Sequence, residues 1–223
     1  MKKSIMVLDT ETADLTGSVY DIGWCITDKS GVIVERYTAL VEEIFTDSKK
    51  MMGAFYASKL FTHYAPMLAA GEITFKPWAK IIEDMRSAIS SHGVNVIAAY
   101  NLGFDRRVIR NTHRDLGFTD AICPAGLDQL DLWQFACETK LNQATYKKIA
   151  RDLGWVSAAG NIRSGAEYAY RFCSGDHGFI EDHTALSDAE IECEIMAACF
   201  ATKKRIPYNV VNGSPWRLIQ ERA

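Results

Sequence analysis

The chain lacks any long apolar run, any C-x-x-C pair, any internal repeat and any low-complexity stretch, and its net charge is only −3. No segment approaches the roughly 20 consecutive apolar residues that a membrane helix needs. Met1-Lys2-Lys3 leads almost at once into a four-residue apolar run rather than a signal-peptide core, so a cytoplasmic protein without a membrane partner is expected. The six cysteines, Cys25, Cys123, Cys137, Cys173, Cys193 and Cys199, are scattered; that speaks against a zinc site and for reduced thiols. A charge of −3 does not mark a protein that coats nucleic acid, which is usually strongly basic. It leaves open an enzyme whose carboxylates gather divalent cations, because the bound ions neutralise that charge. With 223 residues, 48% hydrophobic and 24% charged, the chain fits one soluble globular domain over 1–202, with the tail 203–223 packed on it.

What is present begins with Asp9 and Glu11, two positions apart after the apolar run Ile5-Met6-Val7-Leu8. Side chains alternate along a strand, so both carboxylates face one side. Two like charges so placed repel, and Mg²⁺ or Mn²⁺ is the usual counter-charge for hard oxygen ligands. An ordinary solvated strand end gives the same pattern, so its meaning depends on other carboxylates converging on it. Strands are expected at Ile5–Asp9, Val19–Asp28 and Val32–Val41, with Asp28-Lys29-Ser30-Gly31 as a hairpin turn. Met51 to Ala70 reads as helical, with Phe55, Leu60, Tyr64 and Leu68 among its apolar positions. Pro77 opens another helix, ended by His92-Gly93. Val94–Tyr100 is a short strand, and Asn101 is the expected N-cap of a helix to about Asp115. Leu127–Leu130 is a fifth strand with Asp131 capping the turn after it; Gln143–Gly154 and Arg163–Cys173 are helical. The tail after Ala201 is irregular and packs back through Trp216.

Ser187-Asp188-Ala189-Glu190 has capping-box spacing, with Ser187 as N-cap of a last helix whose apolar face carries Ile191, Ile195, Met196 and Cys199. Asp188 then lies in the first turn and His183 in the loop before it. On one continuous helix their spacing would turn them ~140° apart; with the loop between, the imidazole can fold back so that both face one centre. Asp188 complementing the helix dipole beside a plain loop histidine is the alternative. Asp105, early in the helix after the Val94–Tyr100 strand, sits where ligand sites gather in α/β sheets. An ion pair with Arg106 or Arg107 is the alternative there.

As a set these residues resemble the DEDDh family of 3′–5′ exonucleases, of ribonuclease-H-like fold. Val7 to Thr12 (V-L-D-T-E-T) is similar to the first exonuclease motif, Ala99 to Asp105 (A-Y-N-L-G-F-D) to the second, and His183 to Ala189 (H-T-A-L-S-D-A) to the third. The sister subgroup has a tyrosine where this chain has Thr184; His183, one residue earlier, places the chain on the histidine side. The resemblance covers roughly residues 4 to 200 and looks most like compact stand-alone DNA exonucleases, including those of bacteriophages. It implies a mixed five-stranded sheet of order 3-2-1-4-5, strand 2 antiparallel, with helices on both faces. It also implies two Mg²⁺ ions, for which Mn²⁺ substitutes, held by Asp9, Glu11, Asp105 and Asp188. In that pattern Asp9 bridges both ions, Glu11 and Asp188 complete the site of the ion that holds the attacking water, Asp105 acts largely through water on the other, and His183 is the general base.

The implied substrate is a single-stranded 3′ end, DNA before RNA, released as nucleoside 5′-monophosphates. An RNA-trimming enzyme and a non-catalytic nucleic-acid-binding subunit are the alternatives, and a polymerase or replication partner and the oligomeric state stay open. Thr10, Thr12 and Leu15 are near enough in sequence to touch the terminal nucleotide, and Phe104 either packs beside it or belongs to the core. Arg106, Arg110 and Arg114 recur along one helix face, either against a phosphate backbone or as a solvated surface; Lys147, Lys148 and Arg151 raise the same choice. No chemistry is assigned to His63, His92, His113 or His177.

Overall fold

The computed structural model describes residues 4–54, 57–210 and 212–220; Phe55, expected on a helical face, lies outside them. The chain opens with three long antiparallel strands, β1 (Ser4–Asp14), β2 (Gly17–Thr27) and β3 (Ile33–Val41). Helices α1 (Glu42–Phe45), α2 (Ser48–Met52) and α3 (Ala65–Ala70) follow, with a π-helical turn at Leu60–Tyr64 before α3. Next come β4 (Phe75–Lys76), α4 (Trp78–Ser91), β5 (Val94–Ala99), α5 (Leu102–Asp115) and β6 (Asp128–Asp131). The remainder is α6 (Leu132–Thr139), α7 (Ala144–Asp152), α8 (Ala166–Ser174), α9 (Ala185–Thr202) and a 3₁₀ turn at Pro215–Leu218.

The sheet order is β4-β3-β2-β1-β5-β6. β1 and β3 run antiparallel to β2, and β5, β6 and β4 join in parallel. The expected order of five strands is therefore present, and the correction is a sixth: Phe75 and Lys76 pair with Leu40 and Val41 at the edge. Two residues before a proline give no periodicity to read, so this strand is a product of tertiary contact. Along β1, Met6 and Leu8 enter one core with α4 and α5, while Ile5 and Val7 enter the other with α6, α7 and α9. Asp9 and Glu11 continue the Ile5–Val7 face, toward α9. The strand does not end at Asp9 but runs to Asp14, its register with β2 shifting between Glu11 and Thr12.

Several boundaries differ from expectation. The helix expected over Met51 to Ala70 is broken into α2, the π turn and α3, and Gly71 at φ +73° closes the last piece in the left-handed region. The turn after Asp131 is a full helix, α6, with Gln134 N–H donating to the Asp131 carboxylate at 3.0 Å. Helix α8 starts at Ala166 rather than Arg163, because a Val156–Ile162 bridge holds the chain before it. In the tail it is Ile219 that is fully buried, while Trp216 is half-buried; Gln220 bonds both backbone groups of Ile162. Among the described residues all six cysteines are free, and no helix is long and apolar enough to cross a membrane.

Candidate active site

Helix α9 is the element that assembles the site. It begins at Ala185, with Thr184 as N-cap, three residues earlier than the Ser187 cap read from the sequence. The cause is a distant acceptor: Ala185 N–H donates to the buried carboxylate of Asp21 on β2 at 3.0 Å, so an amide of a helix that starts there is satisfied from another element. Ser187 instead bonds back to Thr184 O at 3.2 Å. The first turn lies directly on Gly23 of β2, where an added Cβ would stand 2.4 Å from Leu186 N. Gly23 is the register partner of Asp9, so this close approach brings the start of α9 beside the carboxylates of β1. Asp188 remains in the first turn.

A cleft of about 350 Å³ opens at this junction, and Asp9, Glu11, Asp188 and His183 all line it. Thr10 lines it too, and its hydroxyl donates to Asp105 at 2.9 Å. Asp105 is 2% exposed and lies behind that hydroxyl, close enough to act on Asp9 by charge. It makes no ion pair with its neighbours: Arg106 bonds Gln129, and Arg107 stacks over Phe104 at 5.3 Å. Phe104 packs against the α4–α5 core, Leu15 sits at the tip of the β1–β2 hairpin, 75% exposed, and Thr12 lies beyond the β1 irregularity; none of the three is part of the cleft lining. Of the other expected cations, Arg114 pairs with Asp115 and Lys148 with Asp152.

The site also holds residues beyond the four motif carboxylates and His183. Glu192, 1% exposed, lines the cleft one helical turn after Asp188 and accepts the Tyr100 N–H at 3.0 Å. Its i, i+4 spacing from Asp188 was a readable signal. Glu181 reaches within 3.4 Å of His183 Nδ1. Lys59, 8% exposed, donates from Nζ to the backbone oxygens of Asp182 and His183. His63 Nε2 meets the Asp182 carboxylate at 3.0 Å, so one of the histidines given no chemistry borders the site. Nothing local marks Lys59 or His63, since both reach the site through tertiary structure. Trp133 and Tyr100 form an aromatic part of the wall, each tied to Ser164.

Such crowding has an electrostatic cost. Burial first, then the charges of Asp105, Glu192, Asp188 and Glu11, push the Asp9 carboxyl well above the ordinary range. Burial and then Asp188 and Asp21 raise Glu11 to about 9, against the opposing charge of Lys59. Burial, followed by Glu181, raises Asp188 to about 8. Asp105 is raised to about 7 by burial, with the Thr10 hydrogen bond opposing. Burial of Glu192, with Asp105 next, has the same direction. His183 moves the other way: burial first and Lys59 second lower its pKa and favour the neutral ring. Its Nδ1 is 3.8 Å from Asp188 Oδ2.

Ligand atoms of Glu11, His183 and Asp188 lie within 4.8 Å of one another, a spacing that one metal ion can span. Asp9, whose charge acts on the same group, adds a further hard oxygen donor. The carboxylates of this set, taken without the His183 nitrogen, fit a divalent cation that prefers oxygen, such as Mg²⁺ or Mn²⁺, which would also relieve their mutual repulsion.

No protein-family model matches the chain, and no curated protein matches its sequence. Among solved structures it is similar to Exonuclease X in complex with 5′ overhanging duplex DNA, at 18% sequence identity and a TM-score of 0.47, covering 91% of this chain and 94% of that one.

Proposed function

We propose that the chain is a metal-dependent 3′–5′ exonuclease that hydrolyses single-stranded nucleic acid, DNA in preference to RNA, to nucleoside 5′-monophosphates. The observation that carries this reading is the convergence of Asp9, Glu11, Asp188 and Glu192 with one weakly basic imidazole in a single cleft. Asp9, Glu11 and Asp188, with Asp105 behind them, would hold divalent cations. When bound, such ions polarise a phosphodiester, acidify an attacking water and stabilise the leaving oxygen.

The chain's own groups supply the rest. His183, kept neutral by burial and by Lys59, is ready to accept the proton of the attacking water. The imidazolium so formed is held by Glu181 and Asp188, whose carboxylates already flank Nδ1. Thr10 fixes Asp105 through its hydroxyl and so keeps that carboxylate from turning away from Asp9. Trp133 and Tyr100 offer the apolar face against which a terminal base would stack.

The test uses matched 5′-labelled DNA and RNA oligonucleotides with Mg²⁺. The expected result is a ladder that shortens from the 3′ end one nucleotide at a time, faster on DNA, with nucleoside 5′-monophosphates as product. Internal cuts, loss of the 5′ label as mononucleotide, or nucleoside 3′-monophosphates would defeat the proposal.

A further inference from the structure

We propose that Lys59 is a positioning residue for this reaction: its ammonium group clamps the backbone on both sides of the His183 Cα. The inference rests on the nuclease reading for its kinetic consequence and on geometry alone for the clamp. Lys59 Nζ donates to Asp182 O and to His183 O, the latter at 3.0 Å, so two of its three donors grip consecutive carbonyls. His183 between them has φ +52°, a left-handed conformation that is uncommon for a residue with a Cβ, less so for histidine than for most, and that its surroundings help to impose. The ammonium supplies that imposition.

Two neighbours of Lys59 act in the same direction. His63 meets the Asp182 side chain at 3.0 Å. Tyr64 donates to Asp21 Oδ2 at 2.9 Å, the same oxygen that accepts the Ala185 N–H. The turn from Lys59 to Tyr64 thus reaches the chain at 182 and 183 directly, and Ala185 through the shared Asp21 carboxylate. It includes the π-helical segment Leu60–Tyr64, a conformation often found where function fixes side-chain direction. An apolar side chain of the same length would leave the two carbonyls without this donor.

The experiment compares wild type with Lys59→Met, Lys59→Gln and Lys59→Arg in the full chain, by amide hydrogen exchange of the metal-free protein and by kcat and KM on single-stranded DNA with Mg²⁺. For Lys59→Met the expected result is faster exchange at 181–185 with α4 and α5 still protected. Its kcat should fall about 10²-fold, as expected when a catalytic group loses its alignment, while KM stays within about threefold. Lys59→Arg, which keeps charge and donors, should recover most of kcat, and Lys59→Gln should recover little. If Lys59→Met loses protection throughout the chain, Lys59→Gln decides by the same readouts. Unchanged exchange at 181–185, or a kcat within about threefold of wild type, overturns the proposal. A wild-type protein without nuclease activity would defeat the functional reading instead, and the exchange measurement would still test the clamp.

Discussion

At Glu11 the carboxyl group is raised to about 9 because burial and the charges of Asp188 and Asp21 outweigh the Lys59 ammonium. Its register partner across β2 is Asp21 itself, so the repulsion is built into the strand pairing. Glu11→Gln removes one of these charges at nearly constant shape. In EDTA at pH 9 the variant should melt above wild type, by about 2–4 °C for each kcal/mol of repulsion relieved, while the rise in melting temperature that Mg²⁺ gives wild type should shrink. Calorimetry of both proteins with and without Mg²⁺ checks this; a variant less stable in EDTA would show that Glu11 is held by internal partners rather than awaiting a cation. The Asp9–Glu11 pair was legible in sequence because strand alternation is a local property. Lys59 was not, because its meaning comes from carbonyls at 182 and 183 that only the folded chain brings to it.

Helix α9 packs on strand β2, and its first turn approaches that strand closely at Gly23. Gly23→Ala would drive a methyl group to 2.4 Å from Leu186 N, against backbone that cannot rotate away. The first turn of α9 must then lift, carrying Asp188 and the His183 loop from Asp9. The expected cost is about 1–3 kcal/mol of stability, with activity reduced far more than that loss of folded protein explains. Urea unfolding and kcat/KM on the same preparation separate the two; wild-type activity in Gly23→Ala would show that the close approach does not place Asp188. That helix also shows where sequence reading stops. Asp188 in its first turn and His183 before it were both legible from spacing. The true start at Ala185 was not, since the amide is satisfied by Asp21, far away in the chain. Asn101 is a parallel case: it stands at the N-cap of α5 as expected, but at φ +74° and with no side-chain cap bond, so composition gave the position and not the mechanism.

Across the whole molecule the raised carboxyls set how stability depends on pH. Each holds its proton to higher pH when folded than when unfolded, so from about pH 4 upward the folded state binds more protons, and stability falls as pH rises. The decline runs through the folded values of about 7 for Asp105, about 8 for Asp188 and about 9 for Glu11. In EDTA the melting temperature should therefore decrease from pH 5 to pH 9. Mg²⁺ binds the deprotonated groups, so its stabilisation should grow over the same interval, to about 5–10 °C at pH 8 and roughly 100 Kd of ion. A melting temperature flat with pH and indifferent to Mg²⁺ would mean the carboxylates are balanced within the protein. At this scale the order of five strands and the two-sided helical packing were legible from motif resemblance and periodicity. The edge strand β4 and helix α6 were not, the one too short and the other hidden behind a turn signal at Asp131. The proposed nuclease function depends on divalent cations held by these carboxylates. Its most direct measurement is cleavage of one 5′-labelled single-stranded DNA by wild type in Mg²⁺, by wild type in EDTA, and by folded Asp9→Asn in Mg²⁺. A 3′-end ladder is expected in the first reaction and intact substrate in the other two; equal cleavage in all three, or none in the first, would rule the proposed function out.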